Sequence, residues 1–119
     1  MWIESFSEQN FINFDKVISI KMITDQPNSE RITVTTEGPD KQEIELIAIA
    51  KARTIIMASP FTDKEKNKIH GADVILKAFL SILIECLKQD KGDHKFITKE
   101  HLEALFSNKL TELIKQKPE

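Results

Sequence analysis

The sequence is poor in the residues that staple, hinge or cradle. Its 119 residues include one cysteine, three glycines, four prolines, one tryptophan and no tyrosine. A lone Cys86 excludes an internal disulfide. It sits among Ile82, Leu83, Ile84 and Leu87 and reads as a small buried hydrophobe, because an activated thiol needs a cationic neighbour. Glycines at 38, 71 and 92 cannot spell a Walker loop or a dinucleotide fingerprint, and no Gly-x-Ser-x-Gly elbow occurs. An excess of one charge is also missing. Seventeen Lys and Arg stand against nineteen Asp and Glu, a net charge of −2, which gives no general attraction to nucleic acid or to an anionic membrane. The first residues, Met1-Trp2-Ile3-Glu4-Ser5, have neither a basic n-region nor an apolar h-region. The expectation is therefore a cytoplasmic protein without an export signal.

What is present is a folding composition: 40% hydrophobic and 30% charged residues, at a length that suits one core. The predicted architecture is a single α+β domain over 1–119, with a sheet part at about 1–47 and a helical part at about 48–117. The sheet part is predicted to be an antiparallel meander of three to five strands. Residues 2–6 and 11–14 read as short strands, followed by a turn at Asp15-Lys16. From Val17 the chain alternates, with Ile18, Ile20 and Met22 on one face and Ser19 and Lys21 on the other, the period of a half-buried strand. Asp25-Gln26-Pro27-Asn28-Ser29 turns the chain, as does Gly38-Pro39-Asp40. Between and after these turns lie strands over 30–37, with Ile32 and Val34 inward, and 43–47, with Ile44 and Leu46 inward. Such short connections imply antiparallel neighbours, since a parallel pair needs a long crossover.

The helical part is predicted to open with a short helix over 48–58, with strand, centred on Ile55-Ile56-Met57, as the alternative for that segment. Thr62 and Glu65 then have the spacing of a capping box. Whether residues 63–70 form helix or loop stays open. Residues 72–89 are the most informative. Asp73, Lys77, Ser81, Glu85 and Gln89 make one polar stripe, and almost everything else is apolar. Those charges make it a poor membrane span. Thr98 is predicted to cap the last helix, with Ile97 and Leu102 at staple spacing and an apolar stripe of Leu102, Leu105, Phe106, Leu110, Leu113 and Ile114. The two long helices are expected to pair as a hairpin.

A helix apolar on nearly every side needs cover on nearly every side. One sheet face and one partner helix cover much of it but not its whole circumference, and a second copy is the economical source of more. The expected outcome is a homodimer through the helical half, with Val74, Ile75, Phe79, Ile82, Leu83, Leu87, Leu105 and Leu113 at the interface.

No residues assemble a catalytic, cofactor or metal signature. Asp93, His94 and His101 lack the close helical spacing of a zinc site, and read as solvated polar groups. Glu43 and Glu45 alternate with inward Ile44 and Leu46, so they read as a solvated strand face rather than an acid–base pair. Trp2, Phe6, Phe11 and Phe14 read as core; the alternative is that they stand exposed and stack bases. The function expected from the sequence is that of a small dimeric interaction or adaptor protein, not an enzyme, which offers a sheet face or edge to another protein. The alternative is a nucleic-acid-binding regulator contacting its target through Lys64, Lys66 and Lys68. Strands followed by a helix is also the element order of Whirly and PUR-type single-strand binders, a resemblance of order with no shared motif. A third class, an enzyme or small-ligand binder, would need a pocket between sheet and helices.

Overall fold

The computed structural model describes residues 1–7, 10–38, 42–89 and 96–116. The central element is the predicted meander. Strands β3 (Val17–Ile23), β4 (Arg31–Thr36) and β5 (Gln42–Ala48) pair antiparallel in that order. Asn28, at φ 65°, supplies the left-handed residue of the first turn and Gly38, at φ 147°, that of the second. Ile32 and Val34 on the middle strand are fully buried.

Two irregularities alter the predicted faces. The β3–β4 register shifts between Val17 and Ser19, so Ile18 is the extra residue of a bulge. Val17, Ile20 and Met22 pack against the core, while Ile18 is 52% exposed, contrary to the simple alternation that placed it inward. The β4–β5 register shifts between Ile32 and Thr33, which leaves Leu46 unpaired in the ladder and fully buried. On the opposite face, Thr33 is also buried. It is flanked in register by Lys21 and Glu45, whose long side chains cover it.

A second sheet was not anticipated. β1 (Trp2–Glu4) pairs antiparallel with β2 (Phe11–Asn13) and parallel with β6 (Phe96–Ile97), in the order β2-β1-β6. Ile3, Ile12 and Ile97 lie opposite one another in register, and all three are buried. A single 3-10 turn at Phe14–Lys16 leads from β2 into β3, capped by the Asn13 side chain, which accepts from the Asp15 amide. Phe14 from that turn is buried.

The predicted short helix is present as α1 (Ile49–Ala58). It has no side-chain cap, and the Ile49 amide donates to the Glu30 carbonyl at 2.9 Å. The capping box also forms: Thr62 accepts from the Glu65 amide at 3.2 Å, and Glu65 accepts from the Thr62 amide at 2.8 Å. The helix it starts, α2 (Asp63–Asn67), lasts five residues. A separate α3 (Ala72–Gln89) follows, so the segment left open is helix and then connection. Thr98 accepts from the His101 amide at 3.3 Å and opens α4 (Lys99–Gln116), as its spacing predicts. Leu102, Phe106, Leu110 and Ile114 of α4 are buried.

One apolar cluster joins both sheets and the helices α1, α3 and α4. Ile75, Leu76, Ala78, Phe79, Ile82 and Leu83 of α3 lie within it. Much of the cover of α3 is supplied within the chain: α3 packs on α1, α4 and β4, and the Phe6 ring reaches Phe79 from the N-terminal segment; Val74 and Leu87 stay half-buried and Ile84 is 40% exposed. Among the described residues no helix is long and apolar enough to cross a membrane.

Candidate interaction surfaces

The small sheet has two unlike faces. Neighbouring residues on a strand point to opposite sides, so burying Ile3, Ile12 and Ile97 turns Trp2, Phe11 and Phe96 to the other side. There the rings meet one another. Phe96 stacks on Trp2 with centroids 6.2 Å apart and planes at 15°. Phe11 meets Phe96 edge-on at 5.4 Å, both leaning across the central strand. Phe96 is 61% exposed and Phe11 37%, and Trp2 is half-buried. Glu4 shares this face and accepts from the Lys99 amide at 3.0 Å, which ties it to the start of α4. An exposed aromatic cluster on a rigid sheet is a site where apolar area and ring geometry favour a partner over water.

This corrects the reading of the aromatic residues as core. Phe14 is buried and Phe6 packs on Phe79, as expected, but Trp2 and Phe11 face outward. Phe96 was missed. The signal that identifies all three is a dipeptide: Trp2-Ile3, Phe11-Ile12 and Phe96-Ile97 each put an aromatic beside an isoleucine. A strand can bury only one of each pair on a given face.

The second surface lies between α1 and α2. A cavity of about 220 Å³ is lined by Arg53, Ile56 and Met57 from α1, Lys66 and Asn67 from α2, Ile69 and His70 after it, and Ile75. Ile56, Ile69 and Ile75 form a buried floor, and Met57, 69% exposed, stands at the mouth. Lys66 Nζ donates to the Met57 carbonyl at 3.3 Å, and Arg53 Nη2 to the His70 carbonyl at 3.5 Å. His70 Nδ1 lies 2.6 Å from the Asn67 carbonyl. A carbonyl only accepts, so Nδ1 carries hydrogen and donates. Of the expected nucleic-acid contacts, Lys66 lines this cavity, whereas Lys64 and Lys68 do not.

Beside the cavity, hydrogen bonds from the Thr62 backbone, then from its side chain, hold the Glu65 carboxyl below its ordinary value. The charged form is the one that caps. Its contribution is therefore complete above the ordinary carboxylate range and is lost as pH falls through the lowered value. Thr62→Ala removes half of the box and should cost about 1 kcal/mol in chemical denaturation, with the Glu65 titration moving up towards its ordinary value in carboxyl-carbon NMR.

The remaining candidates do not assemble a site. Ile75, Phe79, Ile82 and Leu83, expected at a dimer interface, are core; Val74, Leu87, Leu105 and Leu113 are half-buried against it. His101 is exposed on α4; Asp93 and His94 lie outside the described residues. No group of His, Cys, Asp and Glu suited to a metal occurs among the described residues. Glu45 lies on the open sheet face, 3.9 Å from Arg31 Nε, and Glu43 beside it is exposed. Cys86 is half-buried and packs on the core. A wider groove of about 480 Å³ between α1 and α4 is rimmed by Lys51, Glu100 and Glu103, charges of both signs without a focus. No family model, no curated protein and no solved structure matches the chain.

Proposed function

We propose that this chain is a small interaction protein that docks another polypeptide on the aromatic face of Trp2, Phe11 and Phe96, and that a second copy of the chain is what docks there. The observation that carries the reading is the ring cluster itself. Three aromatic side chains sit on the outside of a sheet whose inside is complete. Buried aromatic anchors are what interface hot spots are made of. Charges of both signs lie close by in the chain: Glu4 on the face itself, half-buried Lys99, whose amide donates to it, and the exposed Asp15 and Lys16 that follow β2. A two-fold axis brings each patch against itself, and mixed charges nearby then match themselves. The rings supply the apolar centre of a standard interface of about 800 Å² per partner, and the surrounding polar residues its extent.

Base stacking is less well served, because the carboxylate of Glu4 shares the aromatic face and the chain carries no net positive charge. Retention on heparin that falls with salt would favour nucleic acid instead.

The dimer is tested by light scattering. The expected mass is twice 13.7 kDa for the native sequence and one chain for Phe96→Glu, with an unchanged circular dichroism spectrum. A single-chain mass for the native protein at every concentration tested sinks the proposal. A dimer that survives Phe96→Glu but not Leu105→Glu would put the seam on the helical half.

A further inference from the structure

We infer that the cleft between α1 and α2 is a second docking site, built for a short acidic segment of a partner protein that carries one apolar side chain among its carboxylates. This goes beyond the aromatic face and holds whether or not the chain dimerises.

The cleft combines two chemistries that are rarely adjacent without use. Its floor of Ile56 and Ile69 is apolar and closed to solvent, and its mouth is ringed by Arg53, Lys66 and His70. No acidic residue lines it, although the chain as a whole has more acids than bases. Among the described residues, neither Arg53 nor Lys66 pairs with a carboxylate. Each instead reaches a backbone carbonyl across the rim, at 3.5 and 3.3 Å. A neutral carbonyl is a weaker partner for a cation than a carboxylate, so an incoming carboxylate gains by replacing it. The nearest acid on α2, Glu65, is occupied by the Thr62 cap.

Size and shape select the occupant. At about 220 Å³ the cavity is smaller than the roughly 300–1,000 Å³ of small-molecule and cofactor sites. It has room for one leucine- or phenylalanine-sized side chain, and the rest of a ligand must lie over the rim. Met57 at the mouth has a flexible, polarisable thioether that adapts to whatever side chain enters. The floor is inside protein, so an inserted side chain is taken out of water, while the rim cations stay hydrated and set the sign of the partner. An oligonucleotide would use the rim and leave the floor empty.

The test is fluorescence anisotropy with a labelled heptapeptide, a central leucine flanked by three aspartates on each side. Comparison probes have alanine for the leucine, or lysines for the aspartates, and one is a labelled oligothymidine. The leucine peptide should bind, the alanine peptide about tenfold more weakly, and the lysine peptide not at all. The double variant Arg53→Glu, Lys66→Glu, made on exposed and half-exposed side chains, should lose about tenfold or more, as should Met57→Asp. Phe96→Glu should bind unchanged, which separates this site from the aromatic face. The inference is overturned by no binding of the leucine peptide, equal binding of the alanine peptide, or tighter binding of oligothymidine. Affinity untouched by either cleft variant in a folded protein does the same.

Discussion

Phe79→Ala is expected to lower the unfolding free energy by about 3–5 kcal/mol, the largest loss from a single truncation in this chain. Phe79 is fully buried on α3. It meets Phe6 edge-on at 5.7 Å and Phe106 at 5.6 Å. Those partners come from opposite ends of the sequence, Phe6 from the segment after β1 and Phe106 from α4. The ring therefore joins its own helix to two segments a hundred residues apart in the chain. Each edge-on pair adds about 0.5–1.5 kcal/mol beyond the area it buries. The void cannot close easily, because its walls belong to separate helices and to the N-terminal segment. A protein of this length is stable by roughly 6–18 kcal/mol, so the loss is a large share of the whole. Urea unfolding followed by circular dichroism measures it. Phe79→Leu should lose less than half as much. A loss below about 1 kcal/mol for the alanine variant would mean that the three rings are not the centre of the core.

That result also bears on how the apolar sides of α3 are covered. The stripe along α3 is correct, and so is the inference that its apolar sides need cover. Much of that cover comes from within the chain. Sequence periodicity ranks the sides of a helix, but it does not say which distant segment will lie against them. The segment around Phe6 is some seventy residues away and arrives because β1 is held between β2 and β6. What was legible was local. The alternation of β3, β4 and β5, the turn at Asn28, the capping box at Thr62 and the stripe of α4 are all written within a few residues of where they act. The bulges at Ile18 and Leu46 were not legible, since an extra residue exists only relative to the strand opposite. Nor was the small sheet, with strands of three, three and two residues. Its pairing joins Trp2 to Phe96, and no local pattern ranks that pairing. The aromatic face followed from the same omission. Basic residues near Lys66 are visible as a run, but the apolar floor beneath them needs Ile56 of α1 and Ile75 of α3 beside Ile69, so the run alone does not describe a cleft.

The seam between the two sheets rests on one small polar residue, and removing its hydroxyl should show it. Ser5 is fully buried. Its Oγ donates to the Glu45 carbonyl at 2.9 Å and accepts from the Ser7 amide at 3.1 Å. Beside it the Phe6 amide donates to the Leu46 carbonyl at 2.9 Å. These contacts fall at the β5 bulge, where the ladder leaves backbone groups in need of partners, so the N-terminal segment closes an edge that would otherwise stay open. Ser5→Ala keeps the volume but strips the hydroxyl's bonds, including a longer one to the Leu46 carbonyl at 3.4 Å. A carbonyl in a dry place loses a donor, and such a loss costs about 1–3 kcal/mol, whereas Ser7→Ala, at an exposed side chain, should be nearly neutral. The distinguishing readout is local. Amide exchange at Phe6 should quicken in Ser5→Ala more than exchange in α4, because the seam opens before the helices part. Equal acceleration throughout would mean that the two sheets unfold as one unit and that Ser5 contributes only to the whole. No change in stability or exchange would mean that the Phe6 amide alone holds the edge.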